Sequence, residues 1–246
     1  GHAFGRVGVT AGRGLASLPG AQRQQKGSGG TPTGEQPATS RKDLFCHQCP
    51  QKKTLKVAEY IQASSEFEGD NVSFAKIFML NHNVALNIET LGVVPTRYDE
   101  EQQKYLRVET VADLCDALKA TSGFPPPSGM LPAVFLPFGK QLRGAAEETI
   151  GWHIPDINVH CRDHVGELGV SRVILIDSDA GGGSCSKVLL HEIGHAVGLG
   201  DVKDSTDIMG PCNPGGEQDP PIGCEPDRTD NLMPAKDVKK FCSASF

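Results

Sequence analysis

The 246-residue chain has no apolar run approaching the roughly 18 residues that cross a bilayer, so no membrane anchor and no membrane partner is expected. It begins at Gly1 without a charged and then apolar leader, so any signal peptide is expected to have been removed or to lie outside the sequence. No internal repeat is present, which excludes a solenoid or propeller. Positive charge is scarce outside the first stretch. Arg6, Arg13, Arg23, Lys26, Arg41 and Lys42 face only Glu35 there, the remainder is acidic, and the net charge of −6 argues against a nucleic-acid partner. The cysteines are mostly not in the paired spacings that hold structural metals. There are eight, an even number, which points to disulfides and an oxidising compartment, hence a secreted, extracellular or periplasmic protein.

What is present suggests one substantial domain with extensions. Residues 1–42 are rich in Gly, Ser, Thr, Gln and Pro and too poor in large apolar side chains to offset the entropy of ordering, so they read as a flexible tail or linker. Residues 43–70 read as an N-terminal extension or pro-segment remnant, with a short amphipathic helix over 55–63. The catalytic domain is placed at 71–246, with a lower subdomain at 199–246. Within it the pattern predicts a strand over Val72–Leu80, a helix over Asn83–Thr90 and a weak strand at Tyr105–Val108. It then predicts a helix over Val111–Ala120, a proline-rich loop over 121–129, and strands at Ala133–Pro137, Ile157–Cys161 and Val173–Ile176. Gly181, Gly182 and Gly183 separate the last strand from a helix starting near Cys185 or Ser186. Six prolines from Pro211 to Pro234 interrupt regular structure before a terminal helix over Ala235–Phe241. The mixture is α/β, in the α+β sense.

The most informative stretch runs from Leu189 to Asp201. On a helix, His191 and His195 lie four residues apart and face the same way, so both imidazoles reach one ion, and Glu192 lies beside it without having to be a ligand. A catalytic zinc keeps three protein ligands and a water whose pKa it lowers, and a neighbouring carboxylate can take that proton as the water attacks a carbonyl. Gly198 accepts the positive φ of a sharp stop, after which Asp201 can fold back under the ion as third ligand. Relative to an imidazole, Asp201 lowers the charge of the site by one unit, so a somewhat weaker acidification of the water is expected.

His191-Glu192-x-x-His195-x-x-Gly198-x-x-Asp201 resembles the extended zinc motif of the metzincin metallopeptidases, in the snapalysin-like variant with Asp as third ligand. Met209, 18 residues after His191, stands at the spacing at which matrix-metalloproteinase-like members place the methionine of the Met-turn. The resemblance implies a zincin with a twisted mixed sheet, an active-site helix above the cleft and a small irregular C-terminal subdomain below. It implies a secreted, monomeric zinc endopeptidase acting on protein or peptide substrates through a zinc-bound water activated by Glu192, with Met209 as a floor under the ligands. An edge strand among 157–160 and 173–176 would bind extended peptide. Two other readings are a catalytically inactive zinc-containing peptide-binding module and a latent zymogen blocked by its N-terminal segment.

Several features have plainer readings. Asn231-Leu232-Met233-Pro234 is a second Met-turn candidate, disfavoured by spacing, and no tyrosine follows either methionine. Asp204 and Asp207 are rival third ligands read as solvated turn carboxylates, and His153, His160 and His164 are read as ordinary surface or core residues. Asp177-Ser178-Asp179 is a weak calcium candidate. Cys46-His47-Gln48-Cys49 is read as disulfide-bonded, against a metal site, a redox pair or a latency thiolate. Cys212 with Cys224, and Cys185 with Cys242, are conceivable pairs within the 105 connectivities that eight cysteines allow.

Overall fold

In the computed structural model, residues 47–62, 66–95, 98–101, 104–105, 107–139, 142, 150–179, 186–203, 207–211 and 233–246 are described. Their largest feature is a five-stranded mixed sheet. Strand β1 (Lys53–Ile61) lies inside it, hydrogen-bonded in parallel to β2 (Val84–Val93) on one side and to β5 (Leu131–Leu136) on the other. Next come β7 (Arg172–Asp177), parallel to β5, and β6 (Gly151–Pro155), which runs antiparallel to β7 at the edge. A two-stranded ribbon of β3 (Tyr98–Asp99) and β4 (Lys104–Tyr105) stands apart.

Five helices among the described residues cover the two faces. On one side are α1 (Glu66–Leu80), α4 (Val188–Ala196) and α5 (Ala235–Ser243), which pack Phe74, Phe78, Leu189, Ile193, Val238 and Phe241 against Val57, Phe135 and Ile174. On the other side α2 (Val111–Ala120) and α3 (Ile157–Val165) pack Leu114, Leu118 and Ile157 against Tyr60, Val134 and Leu175. Cys115–Cys161 joins α2 to α3, and Cys49–Cys242 joins the approach to β1 to the terminal helix.

Several sequence expectations hold. The helix over 111–120 begins with a reciprocal capping box between Thr110 and Asp113. The strands expected near 133–137 and 173–176, the helix carrying His191, and the terminal helix are all present.

Four segments are corrected. Residues 55–61 are not a helix: Leu55, Val57, Ala58 and Tyr60 are buried on both faces of an interior parallel strand, which erases the alternation a half-exposed strand would show. Strand β1 thus falls within the stretch 43–70. Residues 72–80 are helical, because Asn71, Phe74, Ala75, Phe78 and Met79 repeat at three- and four-residue intervals on the buried face. Asn83, at φ 60°, closes a turn rather than starting a helix, and the chain from Val84 is strand β2. The strand expected at 157–161 is helix α3, with Ile157 and Cys161 facing the sheet and Val159 exposed between them. The edge strand is instead β6, at 151–155, where no strand was expected.

Candidate metal centre

Helix α4 carries His191, Glu192 and His195 and is secured at both ends by distant residues. Near its start the Leu189 N–H has no carbonyl one turn back within the helix, and Asn71 Oδ1 of α1 accepts it at 3.1 Å. At its end Arg172 of β7 donates to the Ala196 carbonyl at 2.8 Å, placing a cation where the helix dipole is negative. The chain then turns at Gly198, whose φ of +90° is a conformation that only glycine adopts freely. The Leu199 N–H closes the turn on the Gly194 carbonyl at 2.9 Å.

This turn completes a triangle. His191 Nε2 and His195 Nε2 are 3.1 Å apart, and Asp201 Oδ1 lies 3.3 Å from the first and 3.2 Å from the second. Donors bound tetrahedrally to zinc at about 2.0–2.1 Å are separated by about 3.3 Å, so the three atoms already stand at nearly that spacing. Both Nδ1 atoms face backbone carbonyls, that of Ile208 for His191 and that of Leu199 for His195, each at 3.0 Å. A carbonyl only accepts, so each Nδ1 carries the proton and each Nε2 turns its lone pair inward, the tautomer a metal requires. Two lone pairs and a carboxylate converging on one point repel one another unless a proton or cation lies between them. The donor set therefore fits a zinc ion.

Electrostatics follow the same geometry. Burial opposes ionisation of Asp201, yet in the metal-free site, where a proton taken up at Nε2 stands between the donors, hydrogen bonding with His191 and His195 outweighs this and holds its carboxyl well below the usual carboxylate range. Burial likewise opposes charging of His195, but the Asp201 hydrogen bond and nearby Glu192 raise its pKa overall.

Glu192 is buried beside the triangle, in a group with His191 and His195 whose ligand atoms lie within 4.8 Å of one another. Enclosure pushes its carboxyl pKa up, making the carboxylate a stronger base than a solvated one. The His153 backbone N–H of edge strand β6 bonds to it. Gly151 of the same strand permits the approach: a Cβ there would lie 2.7 Å from Glu192 Oε1 and 2.5 Å from Val188. The edge strand thus abuts the Glu192 carboxylate, close to the donors of both histidines. Sequence reasoning missed Gly151 and the His153 backbone because neither belongs to a motif. The His153 imidazole is lowered to about 4 by burial and by the positive charges of His195 and Arg172, and is neutral at pH 7.

Met209 lies beneath the helix. The Met209 sulfur occupies the space a Cβ on Gly194 would need, and it is enclosed with Leu199 and Ile208 in the main core. Two effects compete in Gly194→Ala. Alanine is better than glycine inside a helix by about 1 kcal/mol, but overpacking an enclosed core costs about 1–3 kcal/mol. Because Met209 has little room to retreat, a net loss of stability is expected in urea unfolding; a gain would mean that the packing there is slack.

The remaining candidates fall as follows. Asp204 lies outside the described residues. Asp207 is buried rather than solvated, and its Oδ1 accepts the Met209 N–H at 2.7 Å. Met233 is buried in the main core, while the atoms nearest a Cβ on Gly194 belong to Met209. His160 and His164 lie on α3, across the sheet from α4. Asp177 accepts the Asp179 N–H, and Asp179 pairs with Arg107 at 3.1 Å. Cys49 is bonded to Cys242, which removes its sulfur as a latency thiolate and excludes the Cys185–Cys242 pairing; Cys46, Cys185, Cys212 and Cys224 lie outside the described residues.

No protein-family model matches the chain, and no curated protein matches it. Among solved structures it is similar to metalloproteinase-II from Bacteroides fragilis, with 13% identity and a TM-score of 0.46. The match covers 83% of this chain and 58% of that one, so the chain spans little more than half the length of that protein.

Proposed function

We propose that the protein is a zinc-dependent endopeptidase of metzincin type, with His191, His195 and Asp201 as metal ligands. The observation that carries this reading is the triangle of donor atoms at 3.1–3.3 Å, with both imidazoles held in the ligating tautomer and a buried glutamate alongside. A zinc ion there would acidify a water and polarise a substrate carbonyl. The chain's own residues supply the rest. Glu192 takes the proton of the attacking water and returns it to the departing amine, with its carboxylate oriented by the His153 N–H. Strand β6 offers an antiparallel edge along which an extended peptide can add as a further strand, bringing its backbone past Glu192. The two disulfides among the described residues suit an oxidising, extracellular setting, and no described helix is long and apolar enough to cross a membrane.

Incubation with a denatured protein, with and without a chelator, tests the reading. Cleavage that stops on chelation and returns with zinc is expected. A zinc-loaded protein that binds peptides but cleaves none would instead be the inactive binding module. Sequencing the products on a peptide library would give the specificity.

A further inference from the structure

Lys187, immediately before the first turn of α4, has no solvent exposure. Fully buried lysines are rare because an ammonium taken out of water must be compensated by specific partners. Here its Nζ donates to the Asp207 carbonyl oxygen at 2.8 Å, across a sequence separation of 20 residues. That carbonyl also receives the Gly210 N–H at 3.0 Å, closing the turn Asp207-Ile208-Met209-Gly210, while the Asp207 carboxylate receives the Met209 N–H at 2.7 Å.

The same turn touches the metal centre at three points. Its Ile208 carbonyl orients His191 through Nδ1, at 3.0 Å. Its Met209 carbonyl accepts the N–H of Val202, the residue after Asp201, at 3.0 Å. The Met209 sulfur fills the space beneath Gly194. Lys187 and His191 stand one helical turn apart and grasp successive carbonyls of the turn, those of Asp207 and Ile208. Lys187 is therefore placed to set the depth at which the turn sits against the helix, and with it the direction of His191 and the position of the Asp201 segment.

We propose that Lys187 is a positioning residue of the metal centre, a buried amine donor that locks the 207–210 turn onto the site helix and so pre-forms the spacing of His191 and Asp201. This rests on the zinc-site reading and adds to it a residue that touches neither metal nor substrate. Loss of partners that orient metal ligands typically weakens metal binding by about 10–100-fold.

The test is the zinc dissociation constant of the full chain, measured by competition with a chelating dye at a temperature where circular dichroism shows the protein folded. Lys187→Met keeps the apolar stem and removes the donor, and is expected to raise the dissociation constant about 10–100-fold while leaving the fold intact. A variant that melts earlier yet binds zinc as tightly as the parent would make Lys187 merely structural and overturn the proposal. Should Lys187→Met not fold, Lys187→Gln takes its place: the side chain stays polar but is one bond too short to carry its donor to the Asp207 carbonyl that Nζ reaches at 2.8 Å. Weakened zinc binding supports the proposal, and unchanged binding overturns it. Failure of the parent chain to bind zinc would be a different result, refuting the metal-site reading itself.

Discussion

Glu192→Gln should leave zinc bound and reduce peptide hydrolysis by roughly two to four orders of magnitude, the usual contribution of a positioned general acid–base. The exchange is isosteric, which matters because the strand backbone comes so close to the side chain that a Cβ on Gly151 would lie 2.7 Å from Glu192 Oε1. It keeps an oxygen for the His153 N–H but removes the basicity that burial confers on the carboxylate. The three donors at 3.1–3.3 Å do not include Glu192, so metal content should not fall. Normal turnover with full zinc occupancy would exclude Glu192 as the base, and loss of zinc would make it a ligand.

Asp201→Ala should do the opposite, abolishing activity through loss of the metal. It removes one corner of the triangle outright, so zinc affinity should fall by more than the 10–100-fold typical of losing a group that merely orients a ligand. The side chain is 32% exposed and lies past the end of the helix, so the metal-free protein should stay folded, losing only what the contacts of Asp201 with the two histidines contribute. This separates a ligand defect from a folding defect. Zinc binding equal to the parent's would place the third ligand elsewhere and remove the metzincin assignment, while the chemistry of Glu192 would stand.

The centre was legible in the sequence to the degree that it is local. His191, His195, Gly198 and Asp201 lie in one short stretch whose geometry is decided by helix periodicity and a single left-handed turn, and the structure brings these residues together as that pattern implies. Met209 was singled out by spacing, and the structure sets its sulfur against Gly194. What could not be read depends on partners far along the chain. Asn71 meets Leu189 from 118 residues away, and Lys187 looks like an ordinary surface lysine until the 207–210 turn closes on it. The sheet was misjudged where burial overrides periodicity. Strand β1 is covered on both faces and shows no alternation, while α1 has enough apolar residues in succession to imitate a strand. Strand β6 begins at Gly151 and ends at Pro155, both poor strand formers that leave only three residues between them, and it exists because β7 gives it a partner.

The most direct measurement is a crystal structure of the zinc-loaded protein with anomalous data collected on either side of the zinc absorption edge. A single strong peak is expected about 2.0–2.2 Å from His191 Nε2, His195 Nε2 and an Asp201 carboxylate oxygen, with Glu192 outside the coordination sphere. A peak bound by Glu192 or Asp207 in place of Asp201, or no peak between the two histidines, would contradict it.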